Sequence, residues 1–407
     1  MDDLRRRNAA RASSIIVVAA ALMAIGVVMI ASATARLDRS IFAGAIWDGV
    51  FARQVVFVFI GLAIIVLARY AGAYVLARPA LRDRAARLFY VLVLIGLVAA
   101  LAPSIGSPHR GSYRWLRLTP LGHGIGFQPS EFAKLAVVGL LAALLADRNV
   151  DPRRWRRGFL RAACVVGLCC ALVGKEDFGT AVLLALVGTL CLFVGGARLR
   201  HLLAFTTLGL CLFAALLVAA PYRLGRLTAY RDIWSDPQGA GYQPIQSLTA
   251  IAEGGWSGVG LGGGVQKYGY LPDSHSDFIF SIICEETGFL GGALVIGLYV
   301  TIVWLGLCTM WAARNSFERI LAFGITATLS IQAALNVAVA TVAAPTTGIS
   351  LPLISAGGSG VVSFCLSLGI LASVADRGRC APLAAAPSRN RPHSTARRST
   401  QRGALSW

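Results

Sequence analysis

The chain has 407 residues, 56% of them hydrophobic and 14% charged, with 38 Lys and Arg against 19 Asp and Glu for a formal charge of +19. At a mean hydropathy of +0.68, apolar side chains exceed what one soluble core can hide, which excludes a soluble globular enzyme. In a soluble protein the basic excess would point to nucleic acid; here its meaning depends on where the basic residues lie relative to membrane spans.

A helix needs about 20 apolar residues to cross roughly 30 Å of hydrocarbon, and about ten stretches meet that need. In chain order they are Ser14–Ala33, Val55–Tyr74, Phe89–Leu101, Phe132–Ala146, Phe159–Val173, Thr180–Gly195, Leu202–Ala220, Phe278–Trp311, Ile320–Val342 and Leu351–Ala375. The predicted fold class is therefore all-α, a polytopic membrane protein. Arg5, Arg6 and Arg7 precede the first stretch and Ala33-Thr34-Ala35 resembles a cleavage site, but the apolar part is too long for a signal peptide and further spans follow, so it reads as an uncleaved signal anchor. The eighth stretch, about 34 residues, exceeds one bilayer crossing. It holds either a long tilted helix or a short re-entrant segment before the span, and Gly288, Gly291 and Gly292 permit a bend.

With the N-terminus in the cytoplasm, segments 1–13, 69–88, 147–161, 196–201, 312–319 and 376–407 lie inside and carry about 26 of the 38 Lys and Arg. That bias sets both termini in the cytoplasm. Arg153, Arg154, Arg156 and Arg157, and Arg397 and Arg398 near the C-terminus, then read as topology determinants touching anionic headgroups, with no nucleic acid partner required. Residues 1–13 form a cytoplasmic N-terminal segment, 14–375 the membrane domain, and 376–407 a basic cytoplasmic tail without hydrophobic periodicity, expected to be disordered. Between the seventh and eighth spans lies the large outer loop, Pro221–Ser276, and loops of that length are usually functional.

Nine cysteines fall in apolar stretches or the basic tail without metal-ligand spacing and read as small core hydrophobes. No metal cluster is visible among His109, His123, His201, His275 and His393. No G-x-x-x-x-G-K-[ST], H-E-x-x-H or nucleophile elbow is present, and the glycine run Gly260–Gly264 ahead of Lys267 lacks the spacing of a phosphate cradle.

Charges at membrane depth are costly and mark candidate sites. Four groups stand out. In Gly111-Ser-Tyr-Arg-Trp-Leu-Arg117 followed by Gln128-Pro-Ser-Glu-Phe-Ala-Lys134, Glu131 and Lys134 share one helix face, as a structural ion pair or a site. Lys175-Glu-Asp-Phe-Gly-Thr180 reads as a turn between spans. In Leu271-Pro-Asp-Ser-His-Ser-Asp277-Phe-Ile-Phe280, Asp277 stands where a polar loop meets an apolar helix. A carboxylate there is partly desolvated, which suits a general base, and Asp is equally a preferred helix N-cap; the two roles can coexist. His275 is a candidate second base or a hydrogen-bonding fixture, and Glu285 and Glu286, deeper in the span, need partners. The fourth group, Pro345 to Ser359, puts Gly and Pro at membrane depth, which is tolerated where backbone is buried in protein or lines a cavity.

At these residues the sequence resembles the FtsW/RodA/SpoVE (SEDS) family, membrane glycosyltransferases that polymerise peptidoglycan from lipid II. The resemblance covers about residues 14–375. It is most specific in Tyr222-Arg-Leu-Gly-Arg226, Asp236-Pro-Gln-Gly-Ala-Gly-Tyr-Gln243, Gln246-Ser247, Gly258-Val-Gly-Leu-Gly262, Val265-Gln-Lys267, Tyr270-Leu-Pro272, His275-Ser-Asp277-Phe-Ile-Phe280 and Glu285-Glu-Thr-Gly288. It implies ten helices with an outer-face cavity, Asp277 as the catalytic carboxylate, and Arg114, Glu131, Lys134, Arg223, Arg226, Lys267 and His275 as substrate-binding residues. The sequence departs from the family pattern at Lys175-Glu176, at Thr347 and at Ala356, where relatives carry Gln-Pro, Lys and Tyr.

The implied activity is inverting polymerisation of lipid II, the undecaprenyl-pyrophosphate-linked disaccharide pentapeptide, at the outer face of the bacterial inner membrane. Asp277 would deprotonate the acceptor hydroxyl while Arg114, Lys134, Arg223 and Arg226 hold pyrophosphate oxygens. The implied partners are a class B penicillin-binding protein and other divisome proteins; no cofactor is implied beyond a divalent cation recruited jointly by pyrophosphate and carboxylates. The wording of Val265-Gln-Lys267 leans to the FtsW side, hence to division. Alternatives are a RodA-type elongation polymerase, a lipid II flippase and an inactive scaffold. A flippase needs polar groups reachable from both leaflets, whereas the strongest motifs crowd the outer side.

Overall fold

The apolar stretches fold as helices, and polar punctuation sets their ends. The computed structural model describes residues 2–34, 49–102, 106–109, 112–117, 126–218, 225 and 230–378. Its helices are α1 (Asp2–Thr34), α2 (Val50–Leu76), α3 (Pro79–Leu101), α4 (Pro129–Ala146), α5 (Leu160–Gly174), α6 (Phe178–Val194), α7 (Leu199–Val218), α8 (Tyr242–Gly254), α9 (Ile279–Trp311), α10 (Ser316–Ala340) and α11 (Gly358–Asp376). Pro79 and Pro129 begin α3 and α4, where a missing N–H costs nothing. Asp177 and Asn315 cap α6 and α10 through Thr180 N and Glu318 N.

Eight of these helices, all but α5, α6 and α8, are long and apolar enough to cross a membrane, and α5 and α6 are shorter apolar helices. Ten helices thus match the ten predicted stretches. The segment before the first span is helical from Asp2 and continuous with it. A three-stranded antiparallel sheet, β1 (Gly106–His109), β2 (Ser112–Arg117) and β3 (Gly126–Phe127), joins α3 to α4 and was not expected from the sequence.

The two ends of the bundle differ in chemistry. At one end Asn8 Nδ2 donates to Gly378 O at 2.8 Å, bringing the first and last helices together. Arg69 holds Asp376 with two hydrogen bonds, 2.7 and 3.0 Å. Arg377 engages Glu318 at 3.2 Å and donates to the terminal α2 carbonyls of Ala73 and Leu76. This is the basic end. At the other end lie Ser32, Gln128, Asp277, Asn336 and Ser359, linked as described below. Among the described cysteines none is disulfide-bonded, and Cys169, Cys191, Cys284 and Cys365 are buried; Cys380 lies outside the described residues.

Helix α9 is not straight. Gly288 takes φ 68° and ψ −167°, a region open in practice to glycine alone, so the predicted bend is a break between a short entering helix and the span. Four backbone groups at the break pair with the outer loop. Val259 N and Gly260 N donate to the carbonyls of Glu285 and Glu286, both at 3.0 Å, while Phe289 N donates to Gly255 O at 2.9 Å and Leu290 N to Trp256 O at 3.3 Å. A Cβ on Gly288 would stand 2.4 to 2.6 Å from Gly258 N, Trp256 O and Ser257 N. Gly288→Ala is therefore expected to lose about 1–3 kcal/mol from backbone strain alone, with more from displacing the loop. The check is the apparent thermal midpoint beside that of Gly297→Ala, whose Cβ meets nothing within 4 Å.

The last predicted stretch begins differently from the expectation. Leu351 to Gly357 is non-helical, and α11 starts at Gly358. Leu351, Leu353 and Ile354 are buried all the same, so the segment is apolar because it packs inside the protein, where irregular backbone is tolerated at membrane depth.

Candidate active site

Asp277 sits at the end of the outer loop, half-buried, immediately before α9. Phe278 occupies the N-cap position and Ile279 begins the helix, so Asp277 precedes the cap by one residue. Three successive carbonyls around it are held from other parts of the chain. Ala356 N donates to His275 O at 3.0 Å, Ser355 Oγ to Ser276 O at 2.6 Å, and Asn336 Nδ2 to Asp277 O at 2.8 Å. From below, Ser276 N and Phe278 N both donate to Asp273 O, at 3.0 and 3.3 Å, and Asp273 itself adopts a positive φ of 59°. Backbone fixed on every side leaves the carboxylate little freedom of position, which is what a reacting group requires.

The carboxylate faces the Pro345-Thr-Thr-Gly348 segment. Gly348 has φ 72°, and a Cβ there would lie 3.7 Å from Asp277 Oδ2. Asp277, Asp273, Gln243 from the first turn of α8, Thr346 and Gly348 line one cavity of about 70 Å³, floored by Phe278, Val339 and Ile349. That is room for several water-sized groups, enough for a hydroxyl and the waters around it.

A relay of amides ties this loop to α4. Gln332 and Asn336, one turn apart on α10, donate to adjacent carbonyls of the irregular segment, Ser350 O at 2.9 Å and Ile349 O at 2.8 Å. Gln332 Oε1 accepts from Lys134 Nζ at 2.7 Å, and Lys134 also holds Glu131 Oε2 at 2.8 Å with the Phe364 ring 5.0 Å away. Ser363 Oγ donates to Glu131 O at 2.8 Å, and Gln128 N to Ser359 Oγ at 3.0 Å, which closes α4 onto α11. Sequence reasoning did not single out Gln332 or Asn336. The available signal was two amides four apart in an apolar span, where unpaired polar groups are expensive.

The predicted site residues separate into groups. Lys134 is 4% exposed and its ammonium is engaged by Glu131 and Gln332, so the ion pair expected of these two residues is present and buried. Lys267, expected as a substrate-binding residue, is paired internally. All three of its donors are used inside, on Glu286 Oε1 at 2.7 Å, Gly262 O at 2.8 Å and Ser32 Oγ at 2.9 Å, with neither side chain of the ion pair exposed. Ser32 Oγ donates to the same Glu286 oxygen at 2.6 Å, and Glu285 Oε1 accepts from Val265 N and Gln266 N at 2.5 and 3.1 Å. The deep glutamates thus hold the outer loop to α1 and α9.

Arg114 lies on β2, about one-third exposed, with Nη1 3.8 Å from Asp177 Oδ2. Its Nε is buried without a hydrogen-bond partner among the described residues. Asp177 caps α6 as the turn reading expected, and the next turn brings Gly179 so close to Thr347 that a Cβ would stand 2.8 Å from Thr347 O. Arg114 therefore approaches the same irregular segment that faces Asp277. The side chain of His275 is partly exposed. Arg223 and Arg226 lie outside the described residues. Among the described residues no group of three or more His, Cys, Asp and Glu is arranged to hold a metal ion.

Comparison with known proteins places this architecture. The chain is 38% identical over 363 residues, 88% of its length and 87% of the relative's, to the probable peptidoglycan glycosyltransferase FtsW of Thioalkalivibrio sp. (strain K90mix). It is 37% identical over 297 residues, 72% of this chain and 79% of the relative, to stage V sporulation protein E of Bacillus subtilis (strain 168). A chain from a solved structure on the structural coordination of polymerization and crosslinking by a peptidoglycan synthase complex aligns with a TM-score of 0.70 at 27% identity, over 89% of this chain and 96% of that one. The crystal structure of the Thermus thermophilus rod shape determining protein RodA shares the fold, with a TM-score of 0.62 at 24% identity over 89% of this chain and 95% of that one. The model of the FtsW, RodA and SpoVE cell cycle proteins matches residues 12–379, and with the Asp277 loop, the broken α9 and the irregular segment before α11 all inside that match, the chain belongs to the FtsW/RodA/SpoVE family.

Proposed function

We propose that this chain is a peptidoglycan glycosyltransferase that polymerises lipid II into glycan strands at the outer face of the bacterial inner membrane. The observation that carries the reading is Asp277: a half-buried carboxylate with its backbone clamped at three carbonyls, facing a small polar cavity at the end of the bundle opposite the basic one. The acceptor sugar presents its hydroxyl to that cavity.

Asp277 takes the hydroxyl proton as the oxygen attacks the anomeric carbon of the donor. The new C–O bond forms as the bond from that carbon to pyrophosphate breaks, with inversion, and undecaprenyl pyrophosphate leaves with the electron pair. Developing charge on pyrophosphate calls for fixed cations, and Arg114, Arg223 and Arg226 take that role, since a guanidinium matches two phosphate oxygens at once. His275 borders the site as a hydrogen-bonding residue. Glu131 and Lys134 act through α10, holding the amide relay behind Asp277. A divalent cation bound with the pyrophosphate would have Asp273 and Asp277 as the carboxylates at hand to hold it, and would neutralise charge on the leaving group.

Relatives named FtsW support a role in cell division, and the synthase-complex neighbour supports a class B penicillin-binding protein as the crosslinking partner, with other divisome proteins around it. The test is labelled lipid II in vesicles whose two leaflets are read separately, with the chain and its co-purified penicillin-binding protein. Strand formation supports the polymerase; transfer of lipid II between leaflets without strands supports the flippase.

The relay gives a second expectation. Asn336→Ala leaves the carbonyls of Asp277 and Ile349 without their donor, a loss of about 1–3 kcal/mol for each buried group. Strand formation is expected to fall by more than the folded fraction does, because the Asp277 backbone is released. Rates taken well below the apparent midpoint, beside the midpoint itself, separate the two effects.

A further inference from the structure

The basic end of the bundle carries a second built surface, unrelated to glycosyl transfer. The α4–α5 connection, residues 147–159, and the α6–α7 connection, residues 195–198, both lie there, and contacts join the region of one to that of the other. Gly195 packs so closely on Leu145 that a Cβ would stand 2.6 Å from its side chain, and the rings of Trp155 and Phe159 each meet the imidazole of His201 at 5.1 Å.

The first connection is folded, not slack. Asp151 Oδ1 accepts from Arg153 N at 2.9 Å, and a π turn over Trp155–Phe159 closes with Phe159 N on Arg154 O at 3.1 Å. Gly158 lies against the Asp151 carbonyl, where a Cβ would be 2.1 Å from the oxygen. Single π turns inside helices recur at functional sites. The result is that Trp155 is held outward, 43% exposed, stacked on Phe159 at 5.2 Å.

Arg153, Arg154 and Arg156, beside this indole in the chain, and Arg198 and Arg200, beside the His201 that the indole touches, are all exposed. The neighbouring carboxylate of Asp151 engages Arg154 at 3.3 Å in a pair exposed on both sides, so the patch keeps a positive excess. Independently, His201 is 6% exposed and its Nδ1 is buried without a hydrogen-bond partner among the described residues. A buried nitrogen left unmet beside an arginine cluster marks a place built for something more than the protein itself supplies.

Apolar exposure identifies the ligand class. Leu160 at the start of α5 and Leu199 and Leu203 at the start of α7 are 42%, 64% and 58% exposed directly beside the arginines. In α5 and α7, which match predicted spans, these leucines lie against acyl chains, so the arginines beside them stand at headgroup level, where a phospholipid meets both, with phosphate on the guanidinium groups and acyl chains along the helices. Indole rings favour that same boundary.

We propose that this surface binds the headgroup of an anionic phospholipid in the leaflet on the basic side of the membrane, Trp155 seated at the interface, Arg153, Arg154, Arg156, Arg198 and Arg200 on the phosphate, and His201 supplying a further hydrogen bond. It is a defined site, distinct from the diffuse charge of Arg5, Arg6 and Arg7 at the same end.

Native mass spectrometry of the full chain, titrated with phosphatidylglycerol or phosphatidylcholine, tests it. The triple variant Arg153→Gln, Arg154→Gln, Arg156→Gln is expected to retain phosphatidylglycerol roughly tenfold less well or worse, and Trp155→Ala to weaken it with the charge intact. Removing as many charges by Arg5→Gln, Arg6→Gln, Arg7→Gln is expected to change retention by no more than about twofold. Thermal midpoints in phosphatidylcholine confirm that each variant is folded. Equal losses in the two triple variants, or equal retention of phosphatidylcholine and phosphatidylglycerol by the wild type, overturn the proposal.

Discussion

Asp277→Asn is expected to lower strand formation from lipid II by on the order of 10²–10⁴-fold, the range that a positioned general base contributes, with the apparent thermal midpoint unchanged. The amide has nearly the shape of the carboxylate but accepts no proton at neutral pH. The contacts described above that fix this loop are made by its backbone. Those run through the carbonyls of His275, Ser276 and Asp277, which the substitution leaves in place. A cap role for Asp277 would make the variant less stable; with Phe278 in the N-cap position that cost is not expected. Strand assays and melting curves on the same preparation decide it.

The largest stability effect is expected at Lys267. Lys267→Met removes an ammonium that bonds Glu286, Gly262 and Ser32, leaving the Glu286 carboxylate in a fully enclosed position with Ser32 as its remaining donor among these contacts. Breaking a buried pair from one side costs about 3–5 kcal/mol, because an uncompensated charge stays behind. Adding Glu286→Leu removes that charge, and the double variant is expected to regain most of the loss. A direct substrate role for Lys267 makes the opposite forecast: the single variant stays stable and the double variant stays inactive. The midpoints of the two variants, with strand formation by the double one, tell these apart.

Much of the fold is legible in the sequence because lipid imposes a simple requirement. Each crossing needs an apolar run, arginines mark one side, and the long Gly- and Tyr-rich loop has to lie on the other. Asp277 is legible for a similar reason, as a carboxylate at the border of a polar loop and an apolar helix. What escapes the sequence is partnership across distance. Lys134 finds Gln332 at a separation of 198 residues and Lys267 finds Ser32 at 235, and no local pattern distinguishes a lysine so engaged from one that waits for substrate. Hydropathy also reads Leu351 to Gly357 as the start of a helix, since it reports burial but not whether lipid or protein does the burying. The strands β1 to β3, two to six residues long, are too short to leave a periodic signal.

The claim that Asp277 does chemistry and does not merely bind is tested most directly by the fate of lipid II on the Asp277→Asn protein. The expected result is that the variant holds labelled lipid II within a few-fold of wild-type affinity and releases it unpolymerised, while the wild type converts it to strands under the same conditions. Strands formed by the variant at the wild-type rate, or failure of the variant to hold lipid II at all, would contradict the assignment.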